Sequence, residues 1–168
     1  MTAPTSAITS THPLAPDLAN GDASDPGQDA APLVRRLAAS PGARWVDAES
    51  LGAFLAEPGD QVLFFHGDAV RFPEVQDVAV VLPELRRHFQ RRFGIGVVPR
   101  ACEDQLAARF GVQRRPSLVF LRDGRYVDCV SGMLDWQDYI DRLQQVFERP
   151  ASRPPIALAS ATPAAGCH

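Results

Sequence analysis

The sequence predicts an α/β fold in which a mixed central sheet carries helices on both faces, and three features point to it. Strand-like and helix-like segments alternate from about residue 32 to residue 147, the pattern of a layered α/β domain. QVLFF (61–65) and SLVFL (117–121) are apolar without alternation, as strands covered on both faces should be. Asp123-Gly124 then makes a tight turn into RYVDCVSG, which adds an antiparallel neighbour to the second of these strands.

The elements follow in order. Pro32 to Ala39 predicts a short helix with proline in its first turn, ended by Pro41-Gly42. ARWVD (43–47) is a strand, and Asp47 can cap a helix through AESLGAFLAE. After the Pro-Gly-Asp turn and QVLFF, apolar residues at Val78, Val81, Leu82, Leu85, Phe89 and Phe93 recur at helical spacing. Pro83 sits inside that helix, where it removes a backbone hydrogen bond and should kink the axis. FGIGVVP (93–99) supplies another strand, and EDQLAARF (103–110) a helix ended by Gly111. Leu134, Trp136, Tyr139, Ile140, Leu143 and Phe147 mark the apolar face of a closing helix. Trp45 and Trp136 are both expected in the core.

Composition places this domain at residues 31–149. Residues 1–30 form an acidic segment rich in Ala, Pro, Ser, Thr, Asp and Gly, and residues 150–168 are similarly poor in core-forming side chains; both are expected to be disordered, flexible tails. All 17 basic residues are arginine, against 20 acids, for a net charge of -3. That balance does not suggest a nucleic-acid partner. Neither a secretory leader nor a run long enough to span a bilayer is visible, so a cytoplasmic location without membrane insertion is expected.

The chemistry-bearing residues are sparse. Cys102, Cys129 and Cys167 have no recognised metal or redox spacing. Cys102 lies near a helix start, but Glu103 and Asp104 oppose a thiolate there; Cys129 reads as a small residue of an apolar strand. Cys167-His168 gives two ligands, short of a closed zinc site. His66, at a strand end, has no plausible metal partner near it in sequence. With no phosphate loop, nucleophile elbow or His-x-x-x-His motif, the expectation is a protein with no catalytic residues, cofactor or metal.

Phe110-Gly111-Val112, Pro116, the strand after it, Asp123-Gly124, Gly132 and the last amphipathic helix resemble the second half of a thioredoxin fold. The resemblance makes Pro116 the cis-proline beside the site. Matching Pro83 to the proline of thioredoxin's long helix puts the redox Cys-x-x-Cys on Val75-Gln76-Asp77-Val78, where two valines can neither attack nor resolve a disulfide. FFHGDAVRFPEVQDVAVVLPEL and RFGVQRRPSLVFLRDGRYVDCVSGM, with the Trp136 helix, more specifically resemble the HyaE/HupG family. These are thioredoxin-like proteins of [NiFe]-hydrogenase maturation without the Cys-x-x-Cys motif.

That resemblance implies a chaperone for the hydrogenase small-subunit precursor and its twin-arginine signal peptide before export, with a second maturation protein as a further partner. Asp68, Glu74 and Asp77 would line one loop of a peptide groove, and Arg114, Arg115 and Pro116 the other. Glu74 and Asp77 can equally serve the start of a helix, and Arg114 and Arg115 would repel an arginine pair placed over Pro116. Two alternatives stay open: a thiol-dependent oxidoreductase using Cys102 or Cys129 alone, and a redox-inactive thioredoxin-like interaction domain for another client.

Overall fold

A computed structural model describes residues 25–154. Within it five strands form one sheet in the order β1-β3-β2-β4-β5. β1 (Ala43–Trp45), β3 (Phe93–Val97) and β2 (Asp60–Phe65) run parallel, while β4 (Ser117–Arg122) and β5 (Arg125–Ser131) continue antiparallel. The helices are α1 (Pro32–Ala38), α2 (Leu51–Ala56), α3 (Val75–His88), α4 (Arg100–Phe110) and α5 (Trp136–Glu148).

The central strands are apolar throughout because each face has its own core. Val62 and Phe64 of β2, with Leu118 and Phe120 of β4, pack beneath α1, α3 and α5. Leu63, Phe65, Val119 and Leu121 point the other way, against α2 and α4. Side chains alternate across a strand, so a strand between two cores has no polar position to offer. Arg122, at the end of β4, ties the layers together. It pairs with Asp60 at 2.7 Å and donates to the carbonyls of Phe147 and Arg149 at 3.0 and 2.7 Å, satisfying groups left open at the end of α5.

Several boundaries differ from the sequence reading. α3 starts at Val75, because Val75, Val78, Ala79 and Leu82 already share one buried stripe, and the helix runs on through Pro83. α4 starts at Arg100 behind Pro99 rather than at Glu103. α2 starts at Leu51 behind Ser50 rather than being capped by Asp47, whose Oδ1 accepts from the Ser50 N–H at 2.8 Å and the Ser50 hydroxyl at 2.6 Å in the preceding turn. Those two bonds hold its carboxyl below the usual value.

Trp136 is not a core residue. It stands 46% exposed at the first position of α5, edge-on to His88 at 5.9 Å. The packed unit also reaches past residue 31. Gln28 and Ala30 close a turn over Asp25 and Gly27, Gly27 fits against the Trp45 ring, and Arg35 holds the Gln28 carbonyl at 2.7 Å. At the other end Ser152 bridges to Tyr126. The expectations for residues 1–24 and 155–168, Cys167 and His168 included, lie outside the described residues. Among the described residues no helix is long and apolar enough to cross a membrane.

Gly96 shows how tightly the α2 face is filled. A Cβ there would lie 2.8 Å from both Leu63 Cδ2 and Val46 Cγ2. Gly96→Ala is therefore expected to destabilise the fold by about 1–3 kcal/mol, the range for overpacking a filled core, read as a lower urea midpoint at unchanged slope.

Candidate functional site

Two loops meet at the end of the sheet where β2 finishes and β4 begins. The first, Gly67–Glu74, leads from β2 into α3. The second, Val112–Pro116, leads from α4 into β4 through a cis Arg115–Pro116 bond. Gly67 allows them to touch. Its φ is +75°, and a Cβ would lie 2.8 Å from Arg115 Cβ and 2.9 Å from Phe72 Cδ2, so the position is closed to L side chains.

Between the loops opens a groove of about 610 Å³. Asp68, Arg71 and Glu74 line it from the first loop, Arg114 and Arg115 from the second, and Arg100 and Asp104 from α4. Four of the six partner-facing residues named from sequence thus share one groove. Asp77 is exposed on the first turn of α3, outside this lining, and Pro116 is buried beneath it. Neither Glu74 nor Asp77 makes a side-chain capping bond to α3, so both carboxylates stay available on the surface.

The residue that organises the site is Glu103, which the sequence reading treated only as a charge opposing Cys102. Its side chain is 0% exposed. One carboxylate oxygen accepts the Gly67 N–H at 2.7 Å and lies 3.3 Å from Arg115 Nε; the other pairs with Arg100. The Arg115 Nε–H is not aligned for a hydrogen bond, so that contact is an ion pair held by charge. At this depth little solvent screens it. Its signal was present in the pattern: Glu103, Leu106, Ala107 and Phe110 are the buried residues of α4, spaced as one helical stripe. An acid on an apolar stripe needs a buried partner.

Arg115, expected to face the partner from the second loop, is mostly withdrawn from solvent. Only 11% of its side chain is exposed, and its guanidinium lies 5.7 Å from the Phe65 ring centroid. A second, outer contact reaches Asp104 at 3.4 Å. Arg114 is exposed and has no ion-pair partner among the described residues. Arg71 stacks over Phe72 at 5.4 Å. Asp68 uses one oxygen to hold the loop, accepting the Val70 N–H at 2.8 Å, and Val70 is 93% exposed at the tip. The free charge of the groove is accordingly of both signs.

Among the described residues no thiol enters this site. Val75 and Val78, matched to the redox cysteines, are 0% and 1% exposed core residues. Burial pushes the Cys102 and Cys129 thiols above their usual value, which keeps both protonated at neutral pH. His66 is buried beside Trp45 and Phe64. Its Nδ1–H donates to the Gly67 carbonyl at 2.8 Å, while Nε2 has no partner. Burial holds its pKa below the ordinary 6.5. Among the described residues no cluster of His, Cys, Asp and Glu is placed to hold a metal ion.

Two outcomes follow. Glu103→Ala leaves Arg115 buried without its counter-charge, so a loss on the order of 3–5 kcal/mol is expected; Glu103→Gln, which keeps an acceptor for Gly67, should lose less. Denaturant titration of the pair checks this. For His66, the unfolded state binds the proton more readily than the folded state. Stability should be level above pH 6.5 and fall as pH is lowered from there towards the depressed folded pKa. Urea midpoints across that range should show a slope that His66→Phe flattens; an undiminished slope would assign the titration to another group.

The model of the family "Hydrogenase-1 expression protein HyaE" matches residues 33–139. The hydrogenase expression/formation protein HoxO of Cupriavidus necator is 52% identical over 142 residues, covering 82% of this chain and 88% of that protein. HupG of Rhizobium leguminosarum bv. viciae is 44% identical over 115 residues, covering 66% of this chain and 77% of that one. Among solved structures, a thioredoxin variant from Halobacterium salinarum superposes with a TM-score of 0.52 at 22% identity, over 62% of this chain and 89% of its own. The last likeness shows a thioredoxin-like fold, and the first three show that this chain belongs to the HyaE family of hydrogenase expression/formation proteins.

Proposed function

We propose that the protein is a cytoplasmic, non-catalytic chaperone of hydrogenase maturation, binding the small-subunit precursor and its twin-arginine signal peptide before export. The observation that carries this reading is the preformed groove: a thioredoxin-type peptide site whose redox positions are valines and whose rim holds free carboxylates. Such a site offers backbone and charge contacts to an extended segment without exchanging disulfides. Asp68 and Glu74, on the α3 side, suit the arginines of a client, since carboxylates pair bidentately with guanidinium groups. Asp77, in the first turn of α3, extends that acidic side. Arg114 suits an acidic part of the same precursor, and a second maturation protein is a further partner for the outer face.

Co-purification tests the reading. The full precursor should be retained and the precursor lacking its signal segment should not; equal recovery of both would remove the signal peptide from the proposal. Asp68→Asn/Glu74→Gln should raise Kd for the precursor by roughly threefold to tenfold, the range of partly exposed charge pairs. Disulfide-reductase activity abolished by Cys102→Ser or Cys129→Ser would instead establish the thiol-enzyme alternative.

A further inference from the structure

The sheet has an open stretch of edge beside the groove. In β5 the register pairs Ser117 with Ser131, Leu118 with Val130 and Val119 with Cys129, and the Gly132 N–H donates to the Pro116 carbonyl at 2.8 Å. Hydrogen-bonded and non-bonded pairs alternate in an antiparallel ladder. Val130 and Gly132 therefore direct their backbone groups to β4, while Cys129 and Ser131 direct theirs outward. The Cys129 N–H is taken by Asp128 Oδ1 at 2.8 Å. The Cys129 carbonyl and both backbone groups of Ser131 have no partner among the described residues.

The chain itself touches this edge further along β5. After α5, Arg149 pairs with Asp128 at 2.6 Å and the Ser152 N–H donates to the Tyr126 carbonyl at 2.5 Å. That contact is a single bridge at Tyr126, and a groove of ≈ 520 Å³ lies beside Cys129–Ser131. Leu134 lines it, and Asp138, Asp141 and Arg142 stand along it on one stripe of α5. Arg142 and Arg149 share the single Asp128 carboxylate, at 3.0 and 2.6 Å. Asp138 and Asp141 have no ion-pair partner among the described residues, so the unbalanced charge of this groove is negative.

We infer that β5 at Cys129–Ser131 is a strand-addition site for an extended basic peptide, whose backbone pairs with Ser131 and whose cationic side chains meet Asp138 and Asp141. Charge complementarity selects this occupant: Asp128, Asp138 and Asp141 outweigh Arg142 and Arg149, so an acidic strand would meet a net negative edge. The two grooves share no lining residue; the Gly132 N–H bond to the Pro116 carbonyl links the end of β5 to the cis-proline loop. An arginine pair bound here avoids Arg114 and Arg115. The choice of an arginine-bearing client rests on the function proposed above; the edge geometry does not.

The test uses the full chain and a short synthetic peptide with two adjacent arginines, followed by amide NMR. Shifts are expected at Cys129–Ser131 and Asp138–Asp141, with Ser131→Pro abolishing them. Ser131 donates no ladder bond to β4, so proline is compatible with that edge position. Asp138→Asn/Asp141→Asn, which leaves the strand intact, should raise Kd about tenfold at low salt and reduce its salt dependence. Shifts confined to Asp68–Glu74 and Arg114–Arg115, equal binding of a peptide with glutamates in place of the arginines, absence of binding, or an edge occupied by a second copy of this chain in sedimentation would each overturn the inference. Precursor capture separates the two readings: capture unchanged by Asp138→Asn/Asp141→Asn but lost in Asp68→Asn/Glu74→Gln removes the edge site and leaves the proposed function standing.

Discussion

The site depends on one buried carboxylate. Glu103 has no exposed surface and joins three stretches of chain: the Gly67 N–H at the end of β2, Arg115 before the cis bond, and Arg100 on its own helix. Burying such a charge is costly unless it is paired and hydrogen-bonded, and here two guanidiniums and an amide satisfy it. The same contacts fix the distance between the two loops. The ion pair beneath the groove performs the positioning, and Gly67 lets the backbone come close enough for it.

That arrangement also decides what the surface can recognise. Arg115 is consumed by Glu103 and Asp104, so its charge is largely spent inside the protein. The exposed ions that remain are Arg114 and Arg71 on one hand and Asp68 and Glu74 on the other. A groove of mixed sign favours a client segment with its own alternation of charge, and it penalises a purely basic one by placing some of its charge near Arg114. Neither thiol alters this picture, because burial raises both and neither lies among the residues lining the groove.

The sequence disclosed the layers better than the site. QVLFF and SLVFL were legible because strands with a core on each face leave no polar position, and Asp123-Gly124 located the hairpin between β4 and β5. Helix starts were less visible: Pro73-Glu74 looks like loop, yet Val75 already belongs to the buried stripe of α3. Trp136 fits the helical period but falls on the first residue of α5, where half of its ring surface has nothing above it. The N-terminal boundary was hidden for a different reason. Gly27 contributes no apolar signal, and its role is to fit beneath the Trp45 ring. Local composition likewise could not show that Arg115 is buried, since its partner is twelve residues back on α4. Glu103 was readable in principle from its place on an apolar stripe.

The groove and the β5 edge divide the work that a single peptide site would have to do alone. Over Pro116 the nearest free side chain of the second loop is Arg114, so an arginine pair gains least there. One strand further out the unbalanced groups are Asp138 and Asp141, and the backbone of Ser131 is unsatisfied on its outer side. Screening at physiological salt limits exposed charges to about 8 Å, so each region acts on the residues directly against it rather than through a common field. An extended client crossing from the groove to the edge would therefore be read residue by residue: mixed charge against the two loops, then basic side chains against α5. The Gly132–Pro116 hydrogen bond, which joins the end of β5 to the cis-proline loop, keeps these two readings in fixed register.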